Sequence, residues 1–375
     1  KGNAHMNLNL LNFNSKDIGM DLGTANILIA LKGKGIVLRE PSVVALDKVT
    51  GEIVATGKEA RDMLGRTPEN IKAVRPMQDG VIADFTATGL MLKNMLRKVC
   101  QKYNAGKPRV VVGVPSGITE VERRAIEEAF LQANAKEVYL IQEPMAAAIG
   151  AGINVKEPMG NMIVDIGGGT TEVAVISLGG IVASNSIRVA GNEIDESIVD
   201  YLKTHKGVAI GQTAAENLKI ELGCALPLVT ELTKEIRGRD LDTGLPKNVT
   251  VSSKDIEEAM KKPINEILEA IINTLSVTPP ELASDIIQNG IYLAGGGAQI
   301  RNLDNLIAQK TGVQTFVADT PLECVAIGAG KVLENIDTVS YTHLRAHETL
   351  RHGVSRRQVE KNWRGWGGGV GVGGG

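Results

Sequence analysis

Two aspartates stand just ahead of short glycine-bearing turns: Asp21 before Gly23, Thr24, Ala25 and Asn26, and Asp165 before Gly167, Gly168, Gly169 and Thr170. A third glycine run holds Gly295, Gly296, Gly297, Ala298 and Gln299. Glycine lets a backbone come close to a phosphate, so that its N–H groups can donate to the phosphate oxygens. A carboxylate beside such a turn can hold a divalent cation, usually with several waters retained. Two turns of this kind suit a nucleoside triphosphate with Mg2+. Residues 23–26 would cradle the β-phosphate from one side, and residues 167–171 the β- and γ-phosphates from the other. Asp21 and Asp165 would flank the cation, mostly through its water shell. One such turn carries little, because Asp-x-Gly turns occur in hairpins of every function. The pair, together with the loop at 295–298, carries the reading.

The elements that must position these residues are legible as well. Residues 18–21 and 27–31 are apolar runs on either side of the first turn, which predicts a β-hairpin. Residues 162–166 and 173–176 repeat that unit around the second turn. A supersecondary unit recurring half a chain apart predicts two related domains facing each other. A buried strand is expected over 291–294, followed by a turn and a helix from about Asn302. Thr119 predicts a helix start, with Glu122 at the capping-box position three residues on. Helices are also expected over 143–151, 193–202 and 214–222. A long one should start at Ser252 or Ser253 and contain Pro263, and a last one should follow Pro321. Alternating strands and helices give an α/β layered fold.

The chain has 375 residues, is 43% hydrophobic and carries a net charge of -2. That suffices for two cored domains. Aromatics make up 3% and no basic stripe runs through the body, so nucleic acid is not an expected partner. Cys100, Cys224 and Cys324 lie far apart and are expected as buried thiols in a reducing compartment. No apolar run is long enough to span a bilayer and no secretion signal is present, so the body is expected in the cytoplasm. Residues 1–5 precede Met6, a plausible start. From about Val339 the composition changes, with His343, His347, His352, Trp363 and Trp366 ahead of GWGGGVGVGGG. Residues 338–375 are therefore expected as a disordered, foreign-looking tail. There is no G-x-x-x-x-G-K-[ST] motif, no dinucleotide fingerprint after the first strand and no protein-kinase signature.

DLGTAN at 21–26, DIGGGTTEVAV at 165–175 and LAGGGAQIRNLD at 293–304 resemble the two phosphate motifs and the adenosine motif of the superfamily of actin, heat-shock chaperones and sugar kinases. QEPMAAAIG at 142–150 and ECVAIGAG at 323–330 resemble its two connecting helices. EPSVVALD, RPMQDGVIADF, GVPSGITEVERRA and TGLP resemble, more narrowly, the bacterial MreB family of actin homologues, nearly without a break from residue 17 to 337. The resemblance implies a duplicated actin-like (ribonuclease H-like) α/β fold with ATP or ADP in the cleft. Residues 17–157 would form one domain, with a small part at about 45–77. Residues 158–326 would form the other, with a small part at about 194–257. Residues 327–337 would return to the first domain, and residues 1–16 would be an extension.

In this reading Glu143 orients or activates the attacking water, and Thr170 stands near the γ-phosphate. Phosphoryl transfer needs mainly positioning, charge neutralisation and one such group. The bland alternative for Glu143 is a helix N-terminal carboxylate favoured by the dipole. Glu216 and Lys219 are placed at the adenosine end, against the alternative of a surface ion pair three residues apart. The resemblance further implies slow hydrolysis, self-assembly into a homopolymer of paired filaments, and contact with the membrane surface and with membrane proteins of cell-wall elongation, in service of rod shape. MreB proteins reach membranes through an N-terminal amphipathic stretch or an apolar loop. Here the loop reads YNAG, without a bulky apolar pair. The stretch 6–13 carries Leu8, Leu10, Leu11 and Phe13, with no basic residue before Lys16. The competing functions are a monomeric ATPase of the same fold, a sugar-type kinase, and a chaperone module, which would need a client-binding domain after it.

Overall fold

The computed structural model describes residues 17–335. The stretch 6–13, Lys16 and the His- and Trp-bearing tail lie outside the described residues. The chain opens with β1 (Ile18–Leu22), β2 (Asn26–Leu31) and β3 (Gly35–Pro41). A small insert follows: β4 (Val44–Asp47), β5 (Ile53–Thr56), the short helix α1 (Lys58–Asp62) and β6 (Ile71–Val74). Then come β7 (Met77–Gln78), β8 (Val81–Ile82), α2 (Phe85–Tyr103), β9 (Arg109–Val114), α3 (Glu120–Gln132), β10 (Glu137–Gln142) and α4 (Glu143–Gly150). The second half runs β11 (Asn161–Ile166), β12 (Thr171–Ser177), β13 (Gly180–Ile187), α5 (Gly191–His205), β14 (Val208–Ala209), α6 (Gln212–Leu222), β15 (Thr233–Asp240) and β16 (Pro246–Ser252). It closes with α7 (Ser253–Ser276), α8 (Pro280–Asn289), β17 (Ile291–Ala294), a 3-10 turn at Gly296–Gln299, α9 (Leu303–Thr311), β18 (Thr315–Val317) and α10 (Cys324–Asn335).

The two large sheets have one topology. The first is ordered β10-β9-β1-β2-β3, and the second, from its matching edge, β18-β17-β11-β12-β13. In both, the hairpin strands pair antiparallel and the later strands join in parallel. The repeated hairpin of the sequence is thus a repeated sheet. Each small sheet is separate: β5-β4-β6 in the first half, β14-β15-β16 in the second.

Alternation along the strands builds the three larger cores of the described residues. Ile18, Met20 and Leu22 face α2 and α3, where Met91, Leu92, Met95 and Leu96 form the buried stripe of α2. Met162, Val164 and Ile166 face α5 and α7 in the second half. Ile163, Ala174 and Ile176 turn the other way. They meet Val111 and Ile141 of the first sheet, with Ala146, Ala147, Cys324 and Ala329 between them. α4 and α10 are therefore sandwiched between the two sheets. They touch closely because their contacts are small: a Cβ on Gly150 would collide with the Cys324 carbonyl, and one on Gly328 with the Ala146 carbonyl.

Most predicted element starts stand. Thr119 and Ser252 both close capping boxes, with Glu122 and Asp255. α5 and α6 begin two residues earlier than their apolar spacing implies. Their N-cap residues, Ala190 and Gly211, make no side-chain cap, so nothing in the sequence marks those ends. Cys224 and Cys324 are buried as expected. Cys100 is only half-buried, because it lies at the margin of the α2 stripe. Among the described residues no helix is long and apolar enough to cross a membrane.

Candidate functional site

A cavity of about 490 Å³ opens between the two halves. The predicted residues converge on it: Asp21, residues 23–26, Glu143, Asp165, residues 167–170, Glu216, Lys219, residues 295–297 and Gln299 all line it. Ala298 does not. Its side chain is buried in the second-half core, on the inner side of the 3-10 turn.

The first turn is fixed from behind. Ser42 donates its hydroxyl to the Gly23 carbonyl at 2.5 Å and its N–H to the Ala25 carbonyl at 2.9 Å. The second turn is fixed by its own Gly167 N–H, which donates to the Thr170 carbonyl at 2.9 Å. It is also held by the start of α5, where Gly191 and Asn192 donate to the carbonyls of Gly167 and Gly168 at 3.2 and 2.7 Å. Those bonds occupy carbonyls. The N–H groups of Gly23, Thr24 and Ala25, and of Gly168, Gly169 and Thr170, make no hydrogen bond among the described residues. Donors left open in this way are the material of an anion cradle.

The turns also press on each other. A Cβ on Gly168 would stand 2.7 Å from that of Ala25, and one on Gly169 would stand 2.8 Å from the Thr24 hydroxyl. Thr24 in turn accepts the Gly80 N–H at 3.0 Å. Gly295 closes the floor with φ +79, a conformation that favours glycine, and a Cβ there would press on the Asp165 carboxylate.

Three carboxylates converge here, Asp165 and Glu143 buried and Asp21 half-buried. Asp21 is the last but one residue of β1, on the face turned towards α10; Asp165 is the last but one of β11, on the face turned towards α4 and α10; and Glu143 starts α4. Gly113 on β9 leaves the room, since a Cβ there would stand 3.3 Å from Cγ of Glu143. Burial raises the Asp21 carboxyl to about 7. Burial, then repulsion from Asp21 and Glu172, holds Asp165 well above the usual carboxylate range. Glu143 is raised by burial and by the charges of Asp21, Asp165 and Glu172. Glu172 is itself raised by burial, although it accepts the Ser116 N–H at 3.1 Å and the Ser186 hydroxyl. No Lys or Arg pairs with Asp21, Glu143 or Asp165 among the described residues. A concentration of uncompensated negative charge fits a divalent cation. No group of three or more ligating side chains gathers closely enough to hold one outright, again among the described residues.

At the far end of the cavity Glu216 and Lys219 do not pair with each other. Lys219 holds Asp195 at 2.9 Å and the Gly191 carbonyl at 2.9 Å. Glu216 takes Arg61, from the opposite half, at 2.8 Å. The surface ion pair three residues apart is thereby corrected: α6 faces two ways, and each charge finds a partner on a different element. Arg61, Gly80, Asn192, Asp195 and Arg301 line the cavity without having been expected there. Asn192 belongs to the Gly-Asn pair that opens α5 and Asp195 follows it, a signal the sequence did offer. Arg61 sits in an unremarkable KEARD run, and only the fold brings it across.

The comparisons with known proteins come to the same place. The profile of the MreB/Mbl protein family matches residues 15–341. The cell shape-determining protein MreB of Escherichia coli is 52% identical over 328 residues, covering 86% of this chain and 94% of that one. The cell shape-determining protein Mbl of Bacillus subtilis is 50% identical over 323 residues, 86% and 97% of the two chains. MreB5 of Spiroplasma citri bound to ADP superposes with a TM-score of 0.82 at 40% identity, over 86% of this chain and 98% of that one. The MamK double helical filament superposes at 0.71 with 22% identity, over 85% and 98%, and shows the shared fold. With its duplicated sheets, its cleft and these relatives, the chain has the actin-like fold and belongs to the MreB/Mbl family.

Proposed function

We propose that this protein binds ATP with Mg2+ in the cleft, hydrolyses it slowly, and uses the cycle to assemble and disassemble actin-like filaments that set rod cell shape. The observation that carries the reading is the pair of interlocked turns with open N–H groups above three carboxylates, two buried and one half-buried, that no Lys or Arg pairs among the described residues. Relatives support it: MreB5 of Spiroplasma citri has structures with ADP and with AMPPNP, and the 50–52% identical relatives are cell shape-determining proteins.

In this reading residues 23–26 and 167–170 donate backbone N–H groups to the β- and γ-phosphate oxygens. Asp21 and Asp165 would hold Mg2+ through its waters, and the cation would supply charge neutralisation on the phosphates. Glu143 accepts a hydrogen bond from the attacking water at its carboxylate and orients it, with Thr170 beside the γ-phosphate. A raised carboxyl is the stronger base once ionised. Residues 216, 219 and 295–299 take the adenosine. The domains are residues 17–157 and 158–326, with the small sheets as their inserts. The filament lies at the inner face of the membrane, pairs with a second strand, and works with membrane proteins of cell-wall synthesis.

Glu143→Ala tests the site. Nucleotide affinity, followed by titration with a fluorescent ATP analogue, should hold within a few-fold. Phosphate release should slow by about 100-fold or more, the scale of a lost general base. Unchanged hydrolysis would overturn the assignment. Sedimentation with Mg-ATP, with and without anionic liposomes, tests assembly. A chain that binds ATP and never pellets would be a monomeric ATPase.

A further inference from the structure

The cavity has two rims. One is the pair of turns. The other is where the first half's small sheet faces α6 of the second half. α1 leaves the edge strand β5, and its last turn presents Arg61, whose Nη2 lies 2.8 Å from Oε2 of Glu216. Both residues line the cavity. The other charges nearby are already engaged: Lys219 with Asp195 and Gly191, and Arg301 with the Gly223 carbonyl at 3.1 Å. The pair thus joins elements far apart in the chain and on opposite sides of the opening. The Arg61 and Glu216 side chains are 30% and 21% exposed, enough for solvent and salt to reach the pair and too little for it to be a free surface contact.

We infer that Arg61 is a positioning residue that straps the mouth of the cleft by holding Glu216, and that breaking this strap is a step in nucleotide exchange. A ligand lying between the turns and α6 leaves past this rim. Its departure therefore requires the ion pair to part. An arginine suits the task, because its planar fork keeps its charge at every accessible pH and reaches a carboxylate with little loss of freedom. A partly exposed pair of this kind is a light fastening, one that thermal motion opens often and that salt loosens further. It sets a rate of opening without locking the protein shut.

Two measurements on the full chain decide it. In the first, release of a fluorescent ADP analogue is followed by stopped flow. Arg61→Ala should release it about two- to fivefold faster, the range of a partly exposed ion pair. Raising KCl should speed release from the parent and leave the variant unchanged. Arg61→Lys, which keeps the charge, should recover most of the slow release. Equal rates in parent and Arg61→Ala, or equal salt dependence, would overturn the strap. This arm rests on the nucleotide reading above. The second measurement does not. Spin labels on Val49→Cys and Val229→Cys, two exposed positions, report the separation of the small sheets without ligand, with Cys100→Ala removing the half-buried thiol. Arg61→Ala should broaden the distance distribution and shift it to longer values. An unchanged distribution would overturn the strap even if nucleotide bound normally. A shifted distribution in a chain that bound no nucleotide would keep the strap and sink the ATPase.

Discussion

The two halves share one strand order and one hairpin, yet their turns are built differently. The first, LGTAN, carries Thr24 and Ala25. The second, GGGT, carries no side chain until Thr170. The contacts explain the difference. Ala25 and Thr24 occupy the space that a Cβ on Gly168 or Gly169 would need. The helices after the two sheets diverge in the same manner. α4 opens with Glu143, aimed into the cleft, and α10 opens with Cys324, whose thiol burial raises to about 12. Duplication supplied two matching frames, and asymmetry at a few positions made a site. One half is filled where the other is bare, and one helix brings a carboxylate where the other brings an inert thiol.

The largest test of this pairing acts where the halves are closest. Gly328→Val forces a branched side chain against the Ala146 carbonyl at the α4–α10 crossing. Backbone offers no flexible end to yield, so the loss should reach about 3 kcal/mol or more, read by urea denaturation. Destabilisation below about 1 kcal/mol would show that the helices can part without harm.

The next test concerns the charges that the halves bring together. Asp21 is raised from 3.8 to about 7, so its contribution is fully present below about pH 4 and lost as pH rises through about 7. In EDTA, Asp21→Asn should therefore stabilise the chain at pH 8, on the order of 2–4 kcal/mol, and leave it unchanged at pH 4. A variant less stable than the parent at pH 8 would mean that the ionised carboxylate is compensated after all.

The smallest test compares the two capping boxes. Thr119 is exposed and Glu122 half-buried, whereas Asp255 beside Ser252 also takes Lys206 at 3.0 Å. Thr119→Ala should cost about 0.5–1 kcal/mol and Ser252→Ala about 1–2 kcal/mol in denaturant midpoints. Equal costs would mean that the network around Asp255 adds nothing.

Much of this site was legible before folding, because its parts are local. Asp21 and its turn are neighbours in sequence, as are Asp165 and its turn, and glycine runs announce themselves by composition. Glu143 was legible through its motif and the helix it begins. Glu172 and Gly113 were not singled out. The first looks like one polar residue in a strand, and the second like any strand glycine, until Ser116, Ser186 and Glu143 are placed around them. Arg61 could not be found at all, since its partner is 155 residues away on a helix whose charges look self-paired. What sequence conceals here is which charge crosses between halves, a property of assembly that no local pattern records.

α10 lies against β1, where Gly19 abuts the Gly330 backbone so closely that the strand could not carry a side chain there. The consequence concerns synthesis. β1 leaves the ribosome among the first of the described elements, and its cover leaves among the last. The separation is about 300 residues, roughly 15–60 s at ordinary rates of translation. Throughout that interval the β1 part of this face lacks its cover, and the nascent chain must be kept from its neighbours until its final helix arrives.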